Sequence, residues 1–276
     1  MDPHDDAAAL DRLTAAIERY ERLVVAFSGG ADSALLAWAA TRTLGRAAVL
    51  CVTAVSPSLA PEEHADAAAL AAEWDLRWRA VDTAEMDDPA YIANGGDRCA
   101  RCKTALMDVL EPLADAEHAT VVLGVNLDDL GDHRPGQAAA AARGAAFPFV
   151  EAALTKAGVR AISRDAGLRT WDKPAAACLA SRVPYGTPVT LQVLDRVTRA
   201  ESALRALGFV AVRVRHYGDT ARIEVPADVL DAVLAHREAV VRALKSAGYA
   251  YVTLDLEGLR SGNLNAALSA TNDGNR

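Results

Sequence analysis

Short runs of β-branched residues alternate with longer amphipathic stretches through the first half of the chain. Apolar positions recur at helical spacing over 10–22, and Leu23-Val24-Val25-Ala26-Phe27 then forms an unbroken apolar run of strand length. The alternation continues with a helix over 32–44, a strand over 47–54, a helix over 61–74 and a short strand at 76–81. A helix over 101–115 and a strand over 120–124 close the series. Strands separated by helices at this spacing predict βαβ units, hence an α/β fold with a parallel sheet flanked by helices. Ligands of such sheets lie at the carboxyl ends of the strands.

From about residue 150 the pattern changes. A short helix is expected over 155–167, followed by a loop punctuated by Pro and Gly from Lys173 to Pro188. A helix over 190–207 then leads to strands at 209–216 and 220–225, joined through the turn signal Gly218-Asp219. A helix over 228–247 and a strand over 249–254 complete an α-β-β-α-β order, which predicts a smaller α+β domain. The expected division is a sheet domain over 1–150, a connecting segment carrying Cys178 over 151–188, and the smaller domain over 189–262. A polar tail follows over 263–276.

Composition narrows the class. Of the 276 residues, 51% are hydrophobic, and alanine supplies much of that, notably at 65–72 and 138–146, which favours helix. No apolar run approaches the roughly 20 residues of a membrane span, and the acidic N-terminus lacks the basic-then-apolar order of a signal peptide. A cytoplasmic protein with no membrane partner is expected. The net charge of −8 counts against a broad nucleic-acid surface, so no nucleic-acid partner is expected. Of the four cysteines, Cys51 lies in an apolar run and reads as core. Cys99, Cys102 and Cys178 read as metal ligands or catalytic groups, since disulfides are rare in that compartment.

The strand 23–27 runs straight into Ser28-Gly29-Gly30-Ala31-Asp32-Ser33 at the start of a helix. Glycines let backbone N–H groups approach an anion, the helix N-terminus supplies more of them, and both serines add hydroxyls. Asp32 is placed to cap the helix or to hold Mg²⁺ against phosphates. The alternative is an ordinary capped glycine turn. The GK[ST] ending of a Walker A loop is missing. The segment resembles the PP-loop (SGGxDS) of the ATP pyrophosphatases, an adenine nucleotide alpha hydrolase-like fold. That resemblance implies that ATP is cleaved between its α- and β-phosphates to adenylylate a substrate.

Three other groups of residues carry chemistry. Cys99-Ala100-Arg101-Cys102 is a CxxC at a helix start, and Cys178 is the third thiol of an incomplete metal site that suits an iron–sulfur cluster with one open iron. The alternative is an unrelated dithiol, with Cys178 acting alone. The segment 124–136 (GVNLDDLGDHRPG) packs Asp128, Asp129, Asp132 and Arg134, with Asn126, beside the expected nucleotide site, for Mg²⁺ and pyrophosphate handling with Arg134 on a phosphate, or as plain solvated charge. Arg213 and Arg215 share one face of a strand. They read as a phosphate grip with Arg182 as a third member, or as an exposed face paired with Glu201 or Glu224.

Taken together, SGGADS, GVNLDDLGDHRPG, WDKPAAACLASRVPYG, VRVRHYGDTARIEV and LDLEGLRSGNLN resemble the LarE family over nearly the whole chain. Its members are sulfur transferases that build the nickel-pincer nucleotide cofactor of lactate racemase. The resemblance implies MgATP-dependent adenylylation of a carboxylate of pyridinium-3,5-biscarboxylic acid mononucleotide. Sulfur then displaces AMP to give a thiocarboxylate. It implies Asp32 and Cys178 as catalytic residues and Ser28, Gly29, Gly30, Asp32, Ser33, Asn126, Asp129 and Arg134 around ATP. It also implies Arg182, Arg213 and Arg215 on the substrate phosphate and Glu201 on Mg²⁺. In one form of the family the CLxSR cysteine gives up its own sulfur and becomes dehydroalanine. In the other, a CxxC pair and that cysteine hold a [4Fe–4S] cluster that binds hydrosulfide. Cys99, Cys102 and Cys178 match the second form, with sulfide or another sulfur donor as partner. A homo-oligomer, a hexamer by resemblance, is implied. The rivals are a tRNA thiolase, an ammonia-using synthetase such as an NAD or GMP synthetase, and a non-enzymatic nucleotide-sensing or metal-binding module.

Overall fold

A computed structural model describes residues 3–130 and 135–260. The chain divides into two compact units, Met1–Asp88 with Asp97–Ala176, and Pro89–Gly96 with Ala177–Arg276.

The first unit opens with α1 (Pro3–Ile17), β1 (Leu23–Ala26), α2 (Ala31–Leu44), β2 (Val49–Val55), α3 (Pro61–Glu73) and β3 (Trp78–Asp82). The short helix α4 (Pro89–Ile92) belongs to the second unit. The first unit resumes with α5 (Arg98–Glu117), β4 (Thr120–Val122), α6 (Leu127–Leu130), α7 (Pro135–Ala142), α8 (Pro148–Glu151) and α9 (Lys156–Asp165). The four strands form one parallel sheet in the order β3-β2-β1-β4, as the alternating pattern predicts.

Alternation along β1 explains why it is central. Leu23, Val25 and Phe27 enter one apolar layer with Leu13 and Ile17 of α1, Leu35 and Leu36 of α2, and Leu70 of α3. Val24 enters the other layer, with Leu50, Val52, Met107, Leu110 and Val121. Both faces are covered, so β1 reads as a continuous apolar run rather than as alternating polar and apolar residues. Because β2 and β4 flank β1 on opposite sides, its carboxyl end is the point where the sheet order reverses. That is where open α/β sheets form ligand crevices.

The second unit contains α10 (Leu191–Ala206), β5 (Arg213–Tyr217), β6 (Thr220–Glu224), α11 (Leu230–Ala235), α12 (Arg237–Ser246) and β7 (Tyr251–Leu254). β5 pairs antiparallel with β6 through the Gly218-Asp219 turn, and β6 pairs parallel with β7. Its core gathers Leu204, Val214, Ile223, Val240 and Leu244. The helix expected over 228–247 is broken into α11 and α12 at His236. The helix α7 begins at Pro135 and runs into the alanine-rich stretch 138–146, whose composition favours helix. Segment 151–176, including α9, packs in the first unit against α1 and α2. Among the described residues no helix is long and apolar enough to cross a membrane.

Candidate active site

The phosphate loop follows β1. Phe27 N donates to Val52 O at 2.8 Å, and α2 then starts at Ala31 with Gly30 as its N-cap and no side chain bonded there. The first-turn N–H groups of α2 are therefore not spent on a capping side chain. Gly29 has φ +71°, and a Cβ at that position would lie 3.1 Å from Ala67 of α3, so only glycine suits the turn. The Ser33 hydroxyl fixes the loop from within. It accepts from Ser28 N at 3.1 Å and donates to Gly30 O at 3.2 Å, with Ser28 Oγ also 3.1 Å away.

Two chain segments close on this loop. Gly124, at the end of β4, approaches so near that a Cβ on it would stand 3.0 Å from the Asp32 carbonyl carbon and 3.1 Å from Ser33 N. Just beyond it, Asn126 Nδ2 donates to Asp32 Oδ1 at 3.3 Å, which brings two of the expected ATP residues together. Asp129 Oδ2 accepts from Asn126 N at 3.2 Å, folding the segment onto itself. Arg134 lies outside the described residues.

Two lysines at the loop were not among the residues expected around ATP. Lys156 Nζ donates to Asp32 Oδ2, while its backbone N donates to Asp128 Oδ2 at 2.7 Å. Lys173 Nζ donates to Gly29 O at 3.1 Å and pairs with Asp66 at 2.6 Å and Glu63 at 2.9 Å. Burial alone would raise the Asp66 carboxyl, but its bonds to Lys173 and Arg169 outweigh it and hold Asp66 below the ordinary carboxylate value. The acidic side chains of α3 and the start of the loop at 173 are far apart in sequence, so only the fold reveals this strut.

The cysteines differ in setting. Cys51 is buried in β2, where burial pushes its thiol up to about 12, as suits a core side chain. Cys99 and Cys102 lie on the first turn of α5, exposed and half-buried respectively. The chain at Gly136 runs against that turn, since a Cβ there would sit 3.1 Å from Cys99 O. Cys178 belongs to the second unit and is exposed at the start of a helical turn over Leu179–Arg182. Among the described residues no three His, Cys, Asp or Glu side chains are gathered as metal ligands.

The second unit builds a cluster of arginines around buried carboxylates. Glu201, fully buried on α10, accepts from Arg182 Nε at 2.8 Å and Val214 N at 3.0 Å on one oxygen. Its other oxygen accepts from Arg182 Nη2 at 3.2 Å and Arg205 Nη2 at 2.8 Å. Glu224, also fully buried, pairs with Arg215 at 2.8 Å and Arg222 at 3.1 Å. Arg182 further donates to Ala177 O at 2.7 Å, and Arg215 donates to Ser181 O at 2.8 Å, so both guanidinium groups brace the turn that carries Cys178. Asn94, buried after α4, braces the other side by donating to Pro184 O at 2.8 Å and Thr187 O at 2.9 Å.

Within this cluster Arg213 stands apart. It is half-buried, and among the described residues its guanidinium donates only to Arg260 O, at 3.2 Å. Burial, then the charges of Arg182 and Arg215, lower its pKa from the ordinary value, the signature of a cation short of counter-charge. Arg215 Nε is buried with no hydrogen-bond partner among the described residues. The three arginines named from sequence are thus neighbours, and their unspent hydrogen-bonding capacity lies on Arg213 and on Arg215 Nε.

Comparison with known proteins matches this architecture. The NAD synthase family model matches residues 10–95, which span the phosphate loop and the first three strands. Pyridinium-3,5-bisthiocarboxylic acid mononucleotide synthase of Lactiplantibacillus plantarum is 38% identical over 258 residues, covering 93% of this chain and 94% of that protein. The chain belongs to this synthase family. Its members are ATP-using enzymes of the PP-loop class. The uncharacterized protein slr1717 of Synechocystis is 46% identical over 266 residues, covering 94% of this chain and 98% of that protein. The uncharacterized protein MJ0830 of Methanocaldococcus jannaschii is 26% identical over 242 residues. The NAD synthase match stops before the CxxC turn and before Cys178, so that similarity covers the phosphate loop and the first three strands alone.

Proposed function

We propose that this chain is an ATP-dependent sulfur transferase acting on pyridinium-3,5-biscarboxylic acid mononucleotide. The observation that carries the proposal is the pairing of a phosphate loop with an arginine-rich second unit beside a free cysteine. The first suits the triphosphate of ATP. The second, through Arg213 and Arg215 Nε, suits the phosphate of a mononucleotide substrate.

A carboxylate is a poor acyl donor, so one of its oxygens must first be turned into a leaving group. In the proposed reaction a substrate carboxylate oxygen attacks the α-phosphorus of ATP, the bridge to the β-phosphate breaks, and pyrophosphate leaves. Amides of the loop and the first turn of α2, with Ser28 and Ser33, hold the departing pyrophosphate. Asp32 and Asn126 orient the loop, and Asp32 is the carboxylate that would hold Mg²⁺. A sulfur nucleophile then attacks the acyl carbon, forming a C–S bond as the C–O bond to AMP breaks.

For sulfur supply, Cys99, Cys102 and Cys178 fit an iron–sulfur cluster by donor chemistry, being thiols outside any disulfide that are exposed or half-buried. When bound, a [4Fe–4S] cluster supplies an iron position for hydrosulfide. The exposed, braced turn of Cys178 equally suits a single sacrificial donation from its own sulfur, which is the second reading. Glu201 is assigned a structural role rather than Mg²⁺ binding, because both its oxygens already accept from guanidinium or amide donors.

Anaerobic incubation with MgATP, sulfide and the mononucleotide is expected to release pyrophosphate and AMP in step with thiocarboxylate formation. Cys178→Ser should abolish the thiocarboxylate. Iron and acid-labile sulfide after reconstitution, compared between the native chain and Cys99→Ala, separate the two sulfur sources. A cluster's complement that is lost in the variant supports the first source. No iron in either, with loss of H₂S from Cys178 after one turnover, supports the second.

A further inference from the structure

Asp32 sits in the first turn of α2, where a carboxylate and an incoming triphosphate compete for the same positive helix end. The two anions repel unless a cation stands between them. In this structure that cation is Lys156. Its Nζ bonds Asp32 Oδ2, and the side chains of Asp32 and Lys156 are only 27% and 34% exposed. The lysine is held there by construction. Thr155 caps α9 by accepting from Gly158 N at 3.2 Å, and Asp128 accepts from Lys156 N at 2.7 Å. These contacts fix the first residue of α9 against the segment that also carries Asn126. Lys156 therefore arises from a rigid helix start, and the other Asp32 oxygen is occupied by Asn126 at 3.3 Å.

We propose that Lys156 is a built-in counter-cation that occupies the metal-binding edge of Asp32 while the loop is empty. When a divalent cation arrives with the nucleotide, it exchanges off Asp32 and onto the β- and γ-phosphates. The exchange keeps Asp32 neutralised throughout and delivers an ammonium to the phosphates at the moment the metal takes its place. It forms no covalent bond. The proposal rests on the reading above only in taking ATP as the nucleotide, and its test needs no sulfur transfer.

The test compares the native chain with Lys156→Met and Lys156→Arg in direct binding of ATP and of AMP, which lacks the β- and γ-phosphates. Binding of Mn²⁺ to the nucleotide-free protein is followed alongside by electron paramagnetic resonance. Lys156→Met is expected to weaken ATP by about tenfold to a hundredfold, the worth of one hydrogen bond to a charged group, and AMP by no more than about twofold. It should tighten nucleotide-free Mn²⁺ binding, a gain that Asp32→Asn added to it removes. Lys156→Arg should recover most of the ATP affinity. Equal losses for ATP and AMP would reveal a merely structural lysine and overturn the proposal, as would unchanged Mn²⁺ affinity. Should Lys156→Met fail to fold, Lys156→Gln carries the same expectations, and failure of both variants to fold would itself mark the lysine as structural.

Discussion

The two units handle negative charge by opposite means. In the first, the anion site is made of backbone, with Ser28 to Ser33 presenting amides and hydroxyls while the cations Lys156 and Lys173 rest on carboxylates. In the second, the site is made of guanidinium groups, most of them already spent on Glu201, Glu224 and the carbonyls around Cys178. A backbone site is cheap to empty and refill, because its neutral dipoles cost little when no ligand is present. An arginine cluster must carry its own buried anions to exist at all, since unpaired charges cannot stay buried. Under the proposed function the same residue type, a carboxylate, is therefore assigned to chemistry in one unit and to folding in the other.

The sharpest way to break this comparison is to remove one carboxylate from each unit. Glu201→Ala leaves Arg182 and Arg205 without their partner, and should destabilise the protein by about 3–5 kcal/mol. Thermal unfolding should register that loss as a Tm drop of roughly 10 °C. Asp32→Asn should leave Tm almost unchanged and cut pyrophosphate release by about a hundredfold or more. Equal stability losses from both would erase the distinction.

Next in size is Gly124→Ala. The new Cβ would press within 3.0 Å of the Asp32 backbone and tilt the first turn of α2. ATP affinity is expected to fall by about tenfold, as small misplacements of a binding group do, with little change for the second unit's ligand. Arg213→Met should do the reverse, raising KM for the mononucleotide by about tenfold and leaving KM for ATP alone. Its stability should shift by less than about 0.5 kcal/mol, because among the described residues Arg213 makes a single hydrogen bond, to Arg260 O.

The smallest expected effect is a pH dependence in the phosphate-loop strut. Asp66 titrates below its unfolded value of 3.8, so its pairing with Lys173 and Arg169 contributes stability above that pH and loses it as pH falls beneath. The stability gap between the native chain and Asp66→Asn, followed by denaturant unfolding, should therefore narrow between neutral pH and the acid range. A gap that stayed constant would show that the ion pairs at Lys173 contribute nothing.

The two sites were also unequally legible in the sequence. A phosphate loop must be contiguous, because its amides converge only if the glycines and the helix start follow one another. Ser28 to Ser33 accordingly spelled it out. The parallel sheet was legible for a similar reason, since β1 is apolar on both faces. The arginine cluster is assembled from positions 182, 201, 205, 213, 215, 222 and 224, so charge spacing suggested a phosphate grip but not which arginines were already paired. Neither Lys156 nor Lys173 was expected at the loop, because Lys156 is placed by the packing of α9 against α1 and α2 and Lys173 by contacts with Gly29 and α3 that are distant in sequence. The apolar pattern over 228–247 continues through His236 and so gave no sign of the break between α11 and α12.

The central claim is that the phosphate loop activates a carboxylate of the mononucleotide. Its most direct test is isotope exchange between pyrophosphate and ATP, with and without pyridinium-3,5-biscarboxylic acid mononucleotide and in the absence of any sulfur source. Exchange that requires the mononucleotide, persists in Cys178→Ser and vanishes in Asp32→Asn is the predicted result. Exchange that ignores the mononucleotide, or that depends on Cys178, would contradict the account.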